Sequence, residues 1–182
     1  LLLPNLPHTT VPKGSSAADN DVLLEGGTKP RLAADAKPHW ELIKDFDLID
    51  FETGARLTGS GFPVYKGKGA KLQRALIQYF LDHNTEAGYT EYTPPLMVNE
   101  ATAYGTGQLP KFLDDQFRLE GDEDYFLIPT AEVPVTNLYR DEIIPADRLP
   151  IRHVCHTPCF RREAGSYGRD TRGMIRQHQF DK

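Results

Sequence analysis

Only two of the 182 residues are cysteine, Cys155 and Cys159, and no secretory leader pattern opens the chain. This excludes a disulfide-stapled extracellular scaffold and fits a reducing, cytosolic setting. No apolar run approaches the roughly twenty residues that a membrane span needs. Apolar residues make up 39% of the chain, lean but enough for the core of one domain of ordinary size. Positive charge is also scarce, with a net charge of −5, but it is unevenly placed. Residues 150–182 hold seven Lys or Arg against three Asp or Glu, a local +4 that leaves −9 for the rest. An acidic exterior does not forbid such a local anion site.

Several familiar chemistries are missing too. Gly67-Lys68 has Phe62 where a phosphate loop needs its first glycine, and Gly69 where it needs a Mg²⁺-binding hydroxyl. Gly59-Ser60-Gly61 is followed by Val64 where a dinucleotide fingerprint needs a third glycine. Both stretches read as turns. His153, Cys155, His156 and Cys159, with His178 further on, have no second ligand cluster at zinc spacing, so no metal site is expected. The two cysteines then read as small core residues on a strand. No Gly-x-Ser-x-Gly elbow is present to start a hydrolase triad.

The chain begins with Pro-, Gly-, Ser- and Asp-rich sequence over residues 1–30, an extended linker by composition. A short helix is expected near 39–45 and a strand near 62–65. From Gly69 the period changes. Leu72, Ala75, Leu76, Tyr79 and Phe80 form one helical stripe that reads first as core, and Gly88 ends the helix region. The stretch 89–95 reads as a strand closed by Pro94-Pro95. A strand at 125–128, a turn at Pro129 and a helix from about Val133 follow. Residues 149–163 and 175–182 read as two strands joined by the loop "AGSYGRDTRGM". Helices mixed with antiparallel hairpins give the class α+β. The chain lacks an initiating Met and stops inside a strand-like stretch, which leads to the expectation of a piece of a longer protein.

Five arginines fall within residues 161–176. Strand alternation puts Arg161 and Glu163 on one face, with Arg162 on the other. On the returning strand Arg176, His178 and Phe180 share a face, opposite Gln177 and Gln179. Pairing the strands would gather Arg161, Glu163, Arg176 and Phe180. That set suits a nucleotide, with guanidinium forks for phosphate, a carboxylate for an exocyclic amine and a ring for the base. A surface hairpin with pairs such as Arg162–Glu163 or Arg169–Asp170 accounts for the same residues.

Resemblance separates the two readings. "TPCFRREAGSYGRDTRGMIRQHQFDK" resembles motif 2 of the bacterial-type seryl-tRNA synthetases, a class II aminoacyl-tRNA synthetase family. "LPNLPHTTVP", "PHWEL", "GAKLQRALIQYFLDHNTEAGYTEYTPPLMVN", "GTGQLPKF" and "YFLIPTAEVPVTNLYRDEI" resemble the same family in the same order. The resemblance implies an antiparallel sheet flanked by helices, incomplete here. Residues 31–182 would form the N-terminal part of the catalytic domain, without motif 3, and 1–30 would follow an absent helical tRNA-binding arm. The segment from Leu72 to Pro95 is similar to motif 1, which implies a homodimer.

The implied reaction is ATP-dependent formation of seryl-adenylate, then seryl transfer to tRNA(Ser), with Mg²⁺ bridging the phosphates. By the same resemblance, Arg161 clamps the α-phosphate and the serine carboxylate, and Glu163 meets the adenine amine. Arg162 lies between them and contributes mainly backbone, Phe180 stacks on adenine and Arg176 meets the outer phosphates. The basic loop between the strands would face the acceptor end of tRNA. Thr130, Ala131 and Glu132 resemble the serine-binding loop, and their residue types also fit a Thr helix cap with Glu in the first turn. The segment alone is expected to be inactive. Two other functions remain: a synthetase-like ligase loading a small amino acid onto a carrier protein, and a non-catalytic nucleotide- or RNA-binding module. The intact Arg161, Glu163 and Phe180 set speaks against the second.

Overall fold

The computed structural model describes residues 6–163 and 173–182. Arg169, Asp170 and Arg172 of the basic loop therefore lie outside the described residues. The chain divides into two compact units, Leu1–Ala36 and Lys37–Lys182. Every described residue of the first unit is exposed. Its one regular element among the described residues is a 3-10 turn, Ala17–Asp19. There the Ser16 hydroxyl accepts from Ala18 N–H at 3.2 Å, and Asp19 accepts from Ser16 N–H at 2.9 Å.

The second unit is α+β. Its helices are α1 (His39–Asp45), α2 (Phe51–Leu57), α3 (Gly67–Glu86), α4 (Glu100–Gly105) and α5 (Glu132–Thr136). Its strands are β1 (Ile49–Asp50), β2 (Val64–Tyr65), β3 (Thr90–Glu91), β4 (Met97–Asn99), β5 (Tyr125–Leu127), β6 (His153–Val154), β7 (Pro158–Phe160) and β8 (Gln179–Asp181). The pairs β1–β2, β4–β5 and β7–β8 are antiparallel. β3 and β6 run parallel, a departure from the all-antiparallel expectation.

Polar caps and a small apolar cluster fix this arrangement. Asp50 caps α2 by accepting from Thr53 N–H at 2.8 Å, and Asn99 caps α4 by accepting from Thr102 N–H at 3.0 Å. Val98, Ala103, Leu109, Phe126, Ile128 and Val133 form the core where β4, β5, α4 and α5 meet. From that core the Ile128 carbonyl reaches out to accept from Phe160 N–H at 2.8 Å, which docks β7 beside β5. At the start of α3, a Cβ on Gly69 would sit 2.0 Å from the Leu48 carbonyl oxygen, so only glycine lets the helix approach β1.

Two expectations need correction. The α3 stripe is not core: Leu72 is 54% exposed, Leu76 46%, Tyr79 60% and Phe80 57%. Helical spacing identifies a face, but it does not say whether this chain or another covers it. The strand expected over 149–163 breaks into β6 and β7, because β6 pairs with β3 while β7 turns to β8. Thr157 and Lys182 exchange backbone hydrogen bonds at 3.0 Å in both directions and close that β7–β8 ladder. The helix expected from about Val133 forms as α5, five residues from Glu132, and then tightens into a 3-10 turn at Asn137–Tyr139. Among the described residues, no helix is long and apolar enough to cross a membrane.

Candidate active site

The turn Gly59-Ser60-Gly61 holds the hairpin. The Gly61 carbonyl accepts from His178 N–H at 2.8 Å, and the His178 ring stacks on Phe62 at 5.3 Å. A Cβ on Gly61 would lie 2.5 Å from that ring, and its φ of +84° also favours glycine. His178 Nδ1–H donates to the Arg161 carbonyl at 2.9 Å, while Arg161 N–H donates to the His178 carbonyl at 2.9 Å. His178 is thus a clamp that fixes Arg161 at the end of β7.

Arg161 then bridges two regions. Its Nε donates to the Pro129 carbonyl at 3.0 Å, and its guanidinium carbon lies 5.0 Å from the centre of the Phe180 ring. Glu163 follows in the left-handed region, φ +49°, which bends the chain so that its carboxylate meets Arg176 at 3.0 Å. Glu163 is largely enclosed, its side chain 14% exposed. The structure therefore brings Arg161, Glu163, Arg176 and Phe180 together, but not by strand alternation. The ladder covers only β7 and β8, and Arg176 lies in a bend before it. Arg162 N–H donates to the Asp115 carbonyl at 2.9 Å.

Two cavities meet at this cluster. The larger, about 320 Å³, is lined by Thr130, Arg161, Glu163 and Arg176 together with Phe112 and Gln116. The smaller, about 230 Å³, is walled by Phe180, Gln177 and Met174, and shares Arg161, Glu163 and Arg176 with the first. Phe112, Asp115 and Gln116 were missed in the sequence. They come from a stretch without periodicity, and long-range bonds such as Arg162 N–H to the Asp115 carbonyl and Leu127 N–H to the Phe117 carbonyl bring them to the site.

Beside the larger cavity, Thr130 is not the cap of α5. That position is Ala131, which is buried, and no side chain caps it. The Thr130 hydroxyl instead donates to Glu132 and accepts from Lys182 Nζ at 2.9 Å, and Lys182 also pairs with Glu132 at 2.5 Å. Lys182 is a fourth residue that sequence reasoning missed. Burial works against ionisation of Glu132, but hydrogen bonds from Lys182 and Thr130 outweigh it and lower its pKa from 4.5 to about 2. The stability this contributes is complete above about pH 4.5 and fades as pH falls toward 2. The Glu132 side chain is 58% exposed, so solvent screening holds the contribution to about 1 kcal/mol or less. Lys182→Met should flatten the loss of stability between pH 4.5 and 2 without changing the rest of the acid profile. Circular dichroism during acid titration would read this, and parallel profiles for the two proteins would contradict it.

Three members of the histidine and cysteine cluster are tied to neighbours within the chain. His153 Nε2 lies 2.5 Å from the Tyr139 hydroxyl, His156 pairs with Asp181 at 2.7 Å, and Cys159 lies 3.3 Å from the Thr157 hydroxyl. Burial raises the pKa of both thiols, so neither is poised as a nucleophile. Among the described residues, no three His, Cys, Asp or Glu side chains gather to hold a metal ion.

The Arg161 cluster lies within a stretch that matches a known class. Residues 116–182 match the tRNA synthetase class II core domain (G, H, P, S and T). Along its whole length the chain is 57% identical to the serine–tRNA ligase of Trichlorobacter lovleyi and 56% identical to that of Moorella thermoacetica, and it spans 43% of each. The seryl-tRNA synthetase of Pyrococcus horikoshii, solved in complex with ATP, superposes with a TM-score of 0.88 at 34% identity, over 99% of this chain and 44% of that one. The cytoplasmic serine–tRNA ligase of Naegleria fowleri, solved with AMP, gives 0.85 at 26% identity, over 96% and 42%. Over the part of its relatives that it spans, the chain is similar to the seryl-tRNA synthetases.

Proposed function

We propose that the protein carrying this chain activates serine with ATP to form seryl-adenylate and transfers the seryl group to tRNA(Ser). The observation that carries this reading is the position of Arg161, with its guanidinium over Phe180 on one side and its Nε on the Pro129 carbonyl, next to Thr130, on the other. Adenylate formation joins an amino-acid carboxylate to an α-phosphate, and Arg161 lies between a stacking ring and the Thr130–Glu132 loop, where those two groups would meet. The attack needs alignment and neutralisation of accumulating negative charge more than it needs a proton acceptor. The ATP and AMP in the two solved relatives support a nucleotide as a ligand of this chain.

In this reading Phe180 stacks on adenine, Glu163 accepts from its amine and Arg176 turns to the outer phosphates. The last two roles require the Glu163–Arg176 pair to part as ATP enters. Arg162 holds the strand to the Asp115 carbonyl. Thr130 and Glu132 offer hydrogen-bonding groups to serine, and such a site rejects alanine by leaving those groups unpaired. Mg²⁺ would arrive on the phosphates of ATP, since the described residues supply no ligand set of their own. Residues 1–30 serve as the linker after a helical tRNA-binding arm, and 31–182 as the first part of the catalytic domain, in a cytoplasmic enzyme. The exposed stripe of α3 supports a homodimer formed through the Leu72–Pro95 region. Serine-dependent exchange of pyrophosphate into ATP tests the reading directly.

A further inference from the structure

The larger cavity holds one group that the proposed reaction does not yet use. Gln116 is 2% exposed and lines that cavity, and its Oε1 is buried with no hydrogen-bond partner among the described residues. Its Nε2 lies 3.5 Å from the carbonyl oxygens of Gln108 and Phe112. Turning the amide over would set oxygen against two oxygens, so the donor end stays with those carbonyls and the acceptor end stays unpaired. An apolar side chain of the same size would avoid the cost of burying an unpaired acceptor, so its presence calls for an explanation.

The surroundings narrow down what could supply the missing donor. Gln116 lines the cavity that contains Thr130, not the smaller one walled by Phe180, so its neighbours include the loop proposed for serine and not the ring proposed for adenine. Arg161 offers only donors and is suited to a carboxylate. A small amino acid held there by its carboxylate has donors left to satisfy, its ammonium and its hydroxyl. We infer that Gln116 is a specificity-determining residue whose side-chain carbonyl accepts a hydrogen bond from the amino-acid substrate. This rests on the amino-acid-activation reading above.

The test is steady-state pyrophosphate exchange with the complete enzyme carrying Gln116→Met, a near-isostere without polar atoms. Gln116→Met should raise KM for serine about tenfold or more, with kcat and KM for ATP within about twofold. Its thermal midpoint should hold or rise, since an unpaired buried group has been removed. If serine discrimination against alanine falls in Gln116→Met, the bonded donor is the hydroxyl; if KM rises alike for both, it is the ammonium. An unchanged serine KM in Gln116→Met, or an equal rise in KM for ATP, overturns the inference. If Gln116→Met does not fold, Gln116→Ala carries the same comparison. A wild-type enzyme that uses a different small amino acid refutes serine alone, and the variants are then compared with that substrate. No exchange with any amino acid overturns both readings.

Discussion

Arg161→Ala should remove serine-dependent pyrophosphate exchange, lowering its rate by about 10³-fold or more while the protein remains folded. The loss follows from what Arg161 touches. Its Nε is spent on the Pro129 carbonyl, which fixes the plane of the guanidinium against Phe180 and leaves the rest of the fork for anions. Two anions, a carboxylate and an α-phosphate, repel each other as they approach, and a fixed planar cation lowers the energy of that encounter more than it lowers the energy of either reactant alone. Arg161→Lys should recover little, because an ammonium cannot hold the carbonyl, the ring and two oxygens at once. Circular dichroism and the thermal midpoint separate this from unfolding. A folded Arg161→Ala enzyme with more than a tenth of wild-type exchange would contradict the role.

The second large effect is expected at α3. Leu72, Leu76, Tyr79 and Phe80 are about half exposed on one face of a twenty-residue helix, a stripe that a soluble surface rarely leaves open. The adjoining groove, about 420 Å³, runs from Leu76 and Phe80 to Phe180, so whatever covers the helix also bears on the ring proposed for adenine. If a second copy covers it, Leu76→Glu with Phe80→Glu buries two carboxylates without partners and should weaken the dimer by about 10³-fold or more. Sedimentation equilibrium of the complete enzyme would read this as monomer at micromolar concentration. An undisturbed dimer would place the subunit contact elsewhere.

How much could be read in advance depended on the range of the forces involved. Helix α1 was expected near 39–45 and formed there because its pattern is local. The ends of α3 were also local, but the partner of its apolar face was not, and so the core reading failed. The 149–163 strand failed for the same reason, since the choice of β3 for β6 and β8 for β7 depends on distant segments. Within the site, residue chemistry brought Arg161, Glu163, Arg176 and Phe180 to notice. The geometry expected for them was wrong: a left-handed Glu163 and a bend at Arg176 do what alternation was expected to do. Thr130 and Glu132 were named, but their tie to Lys182 was not, because no periodicity connects them. Gln116 gave no signal at all, since a glutamine in an irregular stretch gains meaning only from burial and an unpaired oxygen.

The most direct test of the central claim is amino-acid-dependent ATP–pyrophosphate exchange by the complete enzyme, with serine, alanine, glycine and threonine compared at equal concentration. Exchange with serine is expected, with a strong preference for it over alanine, because the site's hydrogen-bonding groups stay unpaired without the hydroxyl. Preference for alanine or glycine would contradict serine activation and favour a ligase that loads a carrier protein. No exchange from a folded enzyme would mean that the Arg161 cluster binds nucleotide or RNA without activating an amino acid.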